Sequence, residues 1–162
     1  MFEKGNFVIN TTNGICEIKD IVTMNMSGTN KDYYLLVPLA EKTAKIYIPV
    51  DSAAKRIRLV MQETDAWNLI KEIKNVHETY IENDKEREKV YKEALSSGDP
   101  IRLVGIIKTL FLRKKERIDA GKKNTALDEK YFKLAETQLH SELAFVLGVD
   151  RSNITELIAS NL

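Results

Sequence analysis

The spacing of hydrophobic residues changes once along the chain, near residue 61. Before this point apolar residues occur in short runs with alternating polar neighbours, which is typical of β-strands. After it they recur every three or four positions, which is typical of amphipathic helices. We therefore predict an α+β chain with a β module over residues 1–61 and an α-helical bundle over residues 62–162.

The β module contains five candidate strands with turn signals about every ten residues, a pattern typical of a small barrel or a strongly bent sheet. Asn13 and Gly14 between apolar runs favour a hairpin, because both residues tolerate positive φ. Within the second strand the alternation breaks at Ile21, which predicts a bulge near Asp20. The strands are expected at residues 7–9, 15–21, 33–37, 45–49 and 56–60.

The helical bundle has clear start and stop signals. Gly98 ends a charged helix that begins near residue 84. Asp99 and Pro100 start the next helix, with Asp as the cap and Pro at the first helical position. Thr125 and Asp128 resemble a capping box and start a helix that extends to about residue 147. Shorter helices are expected at 62–76 and 153–160, and the expected buried stripe of the third helix is Leu103, Val104, Ile107, Leu110 and Phe111.

The composition is that of a globular protein, with 162 residues of which 43% are hydrophobic and 30% charged. No apolar run approaches the roughly 18 residues of a transmembrane helix, and the first residues lack the apolar stretch of a signal peptide. The single cysteine, Cys16, excludes an internal disulfide and a cysteine-based zinc site. We therefore expect a cytoplasmic protein without a membrane partner.

The motifs of common enzymes are missing. The chain has no phosphate-binding loop, no dinucleotide fingerprint and no nucleophile elbow. His77 and His140 stand far apart, and neither has a close companion at metal-ligand spacing. We therefore predict that the protein is not an enzyme and has no catalytic residues, no metal site, no cofactor and no small-molecule substrate.

Basic residues are concentrated in one segment of a chain that is otherwise balanced, with 25 Lys and Arg against 24 Asp and Glu. Residues 102–123 hold eight Lys and Arg but only two acidic residues, Glu116 and Asp119. On the predicted third helix, Arg102, Arg113 and Arg117 project opposite the apolar stripe. Such a face is either a solvated helix surface or a surface for phosphate groups of nucleic acid. In the preceding helix acidic and basic residues alternate, and Glu88 and Lys92 are spaced for an ion pair.

Motifs along nearly the whole chain resemble one family in their order. The opening has Phe2, Gly5, Asn6, Val8 and Ile9, followed by the hairpin glycine. The remaining motifs are KDYYLL (31–36), IYIP (46–49), LSSGD (95–99), IKTL (107–110) with Arg113, Glu116 and Arg117, and TALDEK (125–130). This combination resembles the bacterial transcription regulators of the CarD/CdnL type, whose N-terminal module also occurs in the transcription-repair coupling factor.

The resemblance implies a Tudor-like (SH3-like) barrel that binds the β subunit of bacterial RNA polymerase. It also implies a helical domain that lies on promoter DNA without reading its sequence and modulates open-complex stability, with no cofactor. The residues expected to contact the polymerase are Met24, Lys45, Tyr47 and Ile48. The residues expected to contact DNA are Arg87, Lys89, Arg102, Lys108, Arg113 and Arg117.

One position departs from the family pattern. Many relatives carry a tryptophan at the start of the second helix, where it enters the DNA minor groove, and the matching positions here are Asp84, Arg87 and Glu88. An acidic side chain cannot act as an apolar wedge and is repelled by phosphate. An adaptor that binds polymerase or another protein without contacting DNA is therefore the alternative hypothesis.

Overall fold

The computed structural model describes all 162 residues, which form two compact units, Met1–Met61 and Gln62–Leu162. The first unit contains an antiparallel sheet of five strands, and the second contains five α-helices. The predicted fold class, a β module followed by a helical bundle, is confirmed.

The sheet has all five predicted strands but is not closed into a barrel. The strands are β1 Phe7–Asn10, β2 Gly14–Met26, β3 Thr29–Pro38, β4 Ile46–Pro49 and β5 Ile57–Leu59. Their order in the sheet is β4-β3-β2-β1-β5, so β4 and β5 form the two edges. The short connection Val50–Lys55 forms a 3₁₀ turn that contacts β3, β4 and β5, and the two edge strands do not pair with each other. Barrel closure is therefore the part of the predicted architecture that was wrong.

The turns of the sheet follow the local sequence. Ser27 and Gly28 both have positive φ, 61° and 78°, and connect β2 to β3 as a two-residue turn. In the first hairpin the Asn10 side chain accepts hydrogen bonds from the backbone N–H groups of Thr12 and Asn13, at 2.9 and 3.1 Å. The side chain of Asn10 thereby supplies the acceptor that these turn amides require.

The predicted bulge is confirmed on β2. The register with β3 shifts between Ile18 and Asp20, which leaves Lys19 as the extra residue. Before the bulge Cys16 and Ile18 point into the core, and Tyr34 joins them from β3. The complete core of this unit consists of Val8, Cys16, Ile18, Tyr34, Leu36, Ile48, Ala53 and Ile57.

The helix caps also agree with the sequence. Asp99 Oδ1 accepts a hydrogen bond from the backbone N–H of Ile101, and Gly98 ends the preceding helix with φ of 63°. Thr125 Oγ1 accepts from the N–H of Asp128 at 3.1 Å, but the Asp128 carboxylate binds elsewhere, so only half of the capping box forms. The helices are α1 Glu63–Glu72, α2 Arg87–Ser97, α3 Pro100–Asp119, α4 Ala126–Leu147 and α5 Arg151–Ala159.

Helix α3 is more deeply buried than its amphipathic pattern predicts. Four residues of the expected stripe are buried, but Phe111 is 37% exposed. Thr109, which is not part of the expected stripe, is buried because the extended segment 76–83 crosses it. The backbone N–H of Thr79 donates to Thr109 Oγ1 at 2.8 Å, and a Cβ atom on Gly105 would lie 3.0 Å from Thr79 Oγ1. The predicted basic face is therefore interrupted in the first half of α3.

Candidate functional site

Strand β4 offers a free edge, because it pairs with β3 on one side and with no strand on the other. Tyr47 lies on this strand with 41% of its surface exposed, and the exposed Lys45 immediately precedes the strand. Ile48 is only 3% exposed and packs in the core, so it can offer a partner its backbone but not its side chain. An edge of this kind can pair with a strand of another protein through main-chain hydrogen bonds.

Met24, the fourth candidate for polymerase contact, lies two strands away from β4. It is half-buried and pairs with Lys31, whereas Tyr47 pairs with Leu35. Lys31 and Leu35 are an even number of residues apart on β3, so all four side chains lie on the sheet face opposite Tyr34 and the core. We call this the outer face, and its apolar members near Met24 and Tyr47 include Val22, Tyr33 and Leu35.

Two of the six DNA candidates, Arg87 and Arg113, are held by carboxylates of the chain itself. Arg113 Nε donates to Asp128 Oδ2 at 2.6 Å, and the Asp128 side chain is 1% exposed. Arg87 Nε donates to Asp84 Oδ1, which is also 3.7 Å from Arg113 Nη1. The hydrogen bond from Arg87 and the nearby arginine charges lower the pKa of Asp84. One exposed and one buried carboxylate thus neutralise the pair.

Tyrosine hydroxyls complete this network. Tyr91 Oη donates to Asp128 Oδ1 at 2.9 Å and accepts from Arg87 Nη1 at 3.2 Å. Its hydroxyl therefore connects the buried carboxylate of Asp128 to the guanidinium of Arg87. Burial raises the pKa of Tyr91, which keeps the hydroxyl protonated. Tyr91 and Asp128 were not predicted as partners of the arginines. The local signal for Asp128 is its place in the first turn of α4, where a carboxylate is favoured.

Lys108 has a structural role in this unit. Its Nζ donates to three backbone carbonyls, those of Ile73 and Lys74 at 3.2 Å and of Val76 at 2.9 Å. These carbonyls lie at the end of the helical turn that follows α1, where a lysine is a favourable cap. DNA contact by Lys108 would require these three bonds to break.

The remaining DNA candidates are more accessible. Arg102 is exposed near the start of α3 and makes no ion pair. Lys89 is exposed on α2, with Glu86 4.0 Å away. Arg117 is partly exposed near the end of α3, and its Nε donates to the carbonyl of Lys123 at 2.9 Å. Four further cations at this end of the helix are exposed: Lys114, Lys115, Lys122 and Lys123.

A cavity of about 330 Å³ lies beside the paired arginines. Arg87 and Arg113 line it together with Thr79, Thr109 and Glu116. The cavity is therefore bounded by the segment 76–83, by the first residue of α2 and by residues 109–116 of α3. No group of three or more His, Cys, Asp and Glu side chains forms a metal site.

His140 is buried in the helical unit, with 2% of its surface exposed. Its Nδ1 is 3.3 Å from Thr155 Oγ1, and its Nε2 has no hydrogen-bond partner. Burial, together with the charge of Arg151, lowers the pKa of His140 to about 4 from its ordinary value of 6.5. The imidazole of His140 is therefore neutral in the folded protein at pH values where the same imidazole is protonated in the unfolded chain.

We expect the free energy of unfolding to fall by about 2 kcal/mol between pH 7 and pH 5 through His140 alone. In this range the imidazole of His140 binds a proton in the unfolded state but not in the folded state, so acid favours unfolding. Urea denaturation of the wild type and of His140→Leu at both pH values measures the effect, with the exposed His77→Leu as the control. Equal losses of stability in the wild type and His140→Leu would contradict it.

Two family models match the chain in sequence. Residues 2–61 match the CarD-like/TRCF RID domain, and residues 68–159 match the CarD C-terminal domain. Both are domains of regulators of transcription that interact with RNA polymerase, and they are regulatory rather than enzymatic. The chain belongs to the CarD family, which confirms the resemblance found in its motifs. No curated protein matches the chain, and none of its helices has the length and apolar character needed to cross a membrane.

Proposed function

We propose that this CarD-like transcription regulator binds the β subunit of RNA polymerase through β4 and contacts promoter DNA through its helical unit. The contact with DNA is made through phosphates and modulates the stability of the open complex. The observation that carries the proposal is the match of both family domains, in order, over nearly the whole chain.

The polymerase part of the proposal rests on the edge of the sheet. β4 has an unpaired side, and next to it Tyr47 and Lys45 are exposed. A strand of the β subunit added to this edge would form main-chain hydrogen bonds, while Tyr47 and the outer face supply apolar contact. Ile48 contributes through its backbone, and Met24 contributes only if the partner extends over the outer face.

The DNA part rests on cations that have no ion pair or, for Lys89, only a long and exposed one. Arg102 and Arg117 lie at the two ends of α3, and neither is ion-paired. Lys89 lies on α2, and its nearest acidic oxygen is 4.0 Å away. Contacts of this kind position a protein on DNA but carry no sequence information. Arg87, Arg113 and Lys108 belong to the same proposal only if their internal partners are displaced.

Salt dependence tests the DNA part. Binding of the full chain to an upstream-fork promoter duplex is measured over a range of salt concentrations. We expect Arg102→Gln with Arg117→Gln to weaken binding and to reduce the slope of log K against log salt by about two, roughly one for each lost phosphate contact.

The matched control is Lys42→Gln with Lys55→Gln, two exposed lysines of the sheet unit, which makes the same change in net charge. If both double variants keep the slope of the wild type, the named arginines do not contact DNA. Equal reductions in both would indicate a general charge effect.

The second candidate function is an adaptor that binds polymerase without DNA. The observation that favours it is the neutralisation of Arg87 and Arg113 by Asp84 and Asp128. Binding of the full chain to a β-subunit fragment, with and without the duplex, separates the two candidates. Enhancement by DNA supports the regulator, and unchanged binding supports the adaptor.

A further inference from the structure

We propose that Arg87 and Arg113 form a binding site for a phosphate group, and that the Asp84 carboxylate occupies this site until a phosphate displaces it. The phosphate can come from a nucleic-acid backbone or from a free phosphate ion, which share the same chemistry. Where the source is promoter DNA, this inference rests on the proposed function.

The two arginines are held from behind by buried groups. Asp128 accepts from Arg113 Nε at 2.6 Å and from Tyr91 Oη at 2.9 Å, and it is 1% exposed. The Tyr91 hydroxyl in turn accepts from Arg87 Nη1 at 3.2 Å. Both guanidinium groups are therefore fixed before any ligand arrives, which reduces the entropy lost on binding.

The carboxylate in front of the arginines is held differently. Asp84 Oδ1 receives the hydrogen bond from Arg87 Nε and lies 3.7 Å from Arg113 Nη1, so one oxygen bridges the pair. Its side chain is 75% exposed, against 1% for Asp128. Ion pairs in contact with water are weak because solvent screens them, whereas breaking a buried pair is costly. Asp84 is thus the partner that a competing anion can displace.

A phosphate group suits the pair better than the carboxylate does. Guanidinium groups bind phosphate oxygens through parallel hydrogen bonds, and a phosphate presents more acceptor oxygens than Asp84 uses here. Arg117 adds to the positive potential, since its charge also lowers the pKa of Asp84. The phosphate would take the exposed position of the Asp84 carboxylate, where solvent leaves room for it. The neighbouring cavity of about 330 Å³ is not that position, because Glu78 and Glu116 on its wall would repel an anion.

The test compares the full-length wild type with Asp84→Ala and with Glu86→Ala. Glu86 lies with Asp84 on the 3₁₀ turn Asp84–Glu86 that precedes α2, and its nearest cation is Lys89 at 4.0 Å. Its removal changes the net charge by the same amount. Inorganic phosphate is titrated while the Nε–Hε resonances of the arginines are followed by NMR. We expect Asp84→Ala to bind phosphate several-fold more tightly than Glu86→Ala, with the largest shifts at Arg87 and Arg113.

The same three proteins are then bound to the upstream-fork duplex at several salt concentrations. We expect Asp84→Ala to bind more tightly than Glu86→Ala and with a salt slope steeper by about one, the value of one added phosphate contact. Equal phosphate affinities in the two variants overturn the inference. If Asp84→Ala binds phosphate more tightly than Glu86→Ala but binds DNA equally well, the phosphate site is supported and DNA contact at this arginine pair is refuted.

Discussion

Replacing Tyr47 by Glu is expected to abolish binding to the polymerase β subunit, with a loss of affinity of roughly a hundred-fold or more. Tyr47 is the exposed aromatic residue of the free edge strand, and aromatic residues at the centre of an interface account for about 2–4 kcal/mol of binding on truncation. A carboxylate at this position would also have to be desolvated against an apolar partner. The fold should persist, because Tyr47 lies on the outer face and not among the core residues.

Surface plasmon resonance between the full chain and a β-subunit fragment measures this loss. Tyr80→Glu is the control, since Tyr80 is 83% exposed in the helical unit and receives the same substitution. Tyr47→Phe should keep most of the affinity if the ring packs against the partner. Wild-type affinity in Tyr47→Glu would place the polymerase contact on another surface than β4.

Local signals explain why most of the elements were predictable. The bulge follows from the parity of Ile18 and Ile21 within a single strand, and the start of α3 follows from Asp99 and Pro100. The ion pair between Glu88 and Lys92, predicted from their spacing, forms at 3.4 Å. Each of these features depends on residues that are near one another in sequence, so the pattern alone contains the required information.

The errors involve contacts between distant parts of the chain. Closure of the barrel depends on whether the two edge strands, β4 and β5, pair with each other. They are joined by a turn that contacts both strands, but they do not pair. Burial of Thr109 depends on the segment 76–83, which has no hydrophobic period that predicts where it crosses. The single apolar stripe also failed for Phe111, which fits the stripe but is 37% exposed.

The candidate site shows the same division. Asp84 and Arg87 are three residues apart at the start of a helix, so their ion pair can be predicted from the spacing alone. The bond between Arg113 and Asp128 connects two helices across a reversal of the chain, and no spacing rule predicts it. The sequence therefore shows where the cations are concentrated, but it does not distinguish those that are neutralised from those that are accessible.

The buried carboxylate leads to the second large effect. We expect Asp128→Ala to lower the free energy of unfolding by about 3 kcal/mol, because it leaves the charge of Arg113 and the hydroxyl of Tyr91 without their partner. Breaking a buried ion pair costs about 3–5 kcal/mol, and we expect the lower end since the Arg113 side chain is 23% exposed and partly hydrated.

Urea denaturation measures this loss against Glu129→Ala. Glu129 is the next residue in the first turn of α4 and is exposed, so it shares the helix-dipole contribution but not the buried pair. Adding Arg113→Met to Asp128→Ala should recover part of the lost stability, since the double variant no longer contains an unpaired arginine. If Asp128→Ala costs no more than Glu129→Ala, the buried pair does not stabilise the helical unit. Arg113 would then lack the fixed position on which phosphate binding by the arginine pair depends.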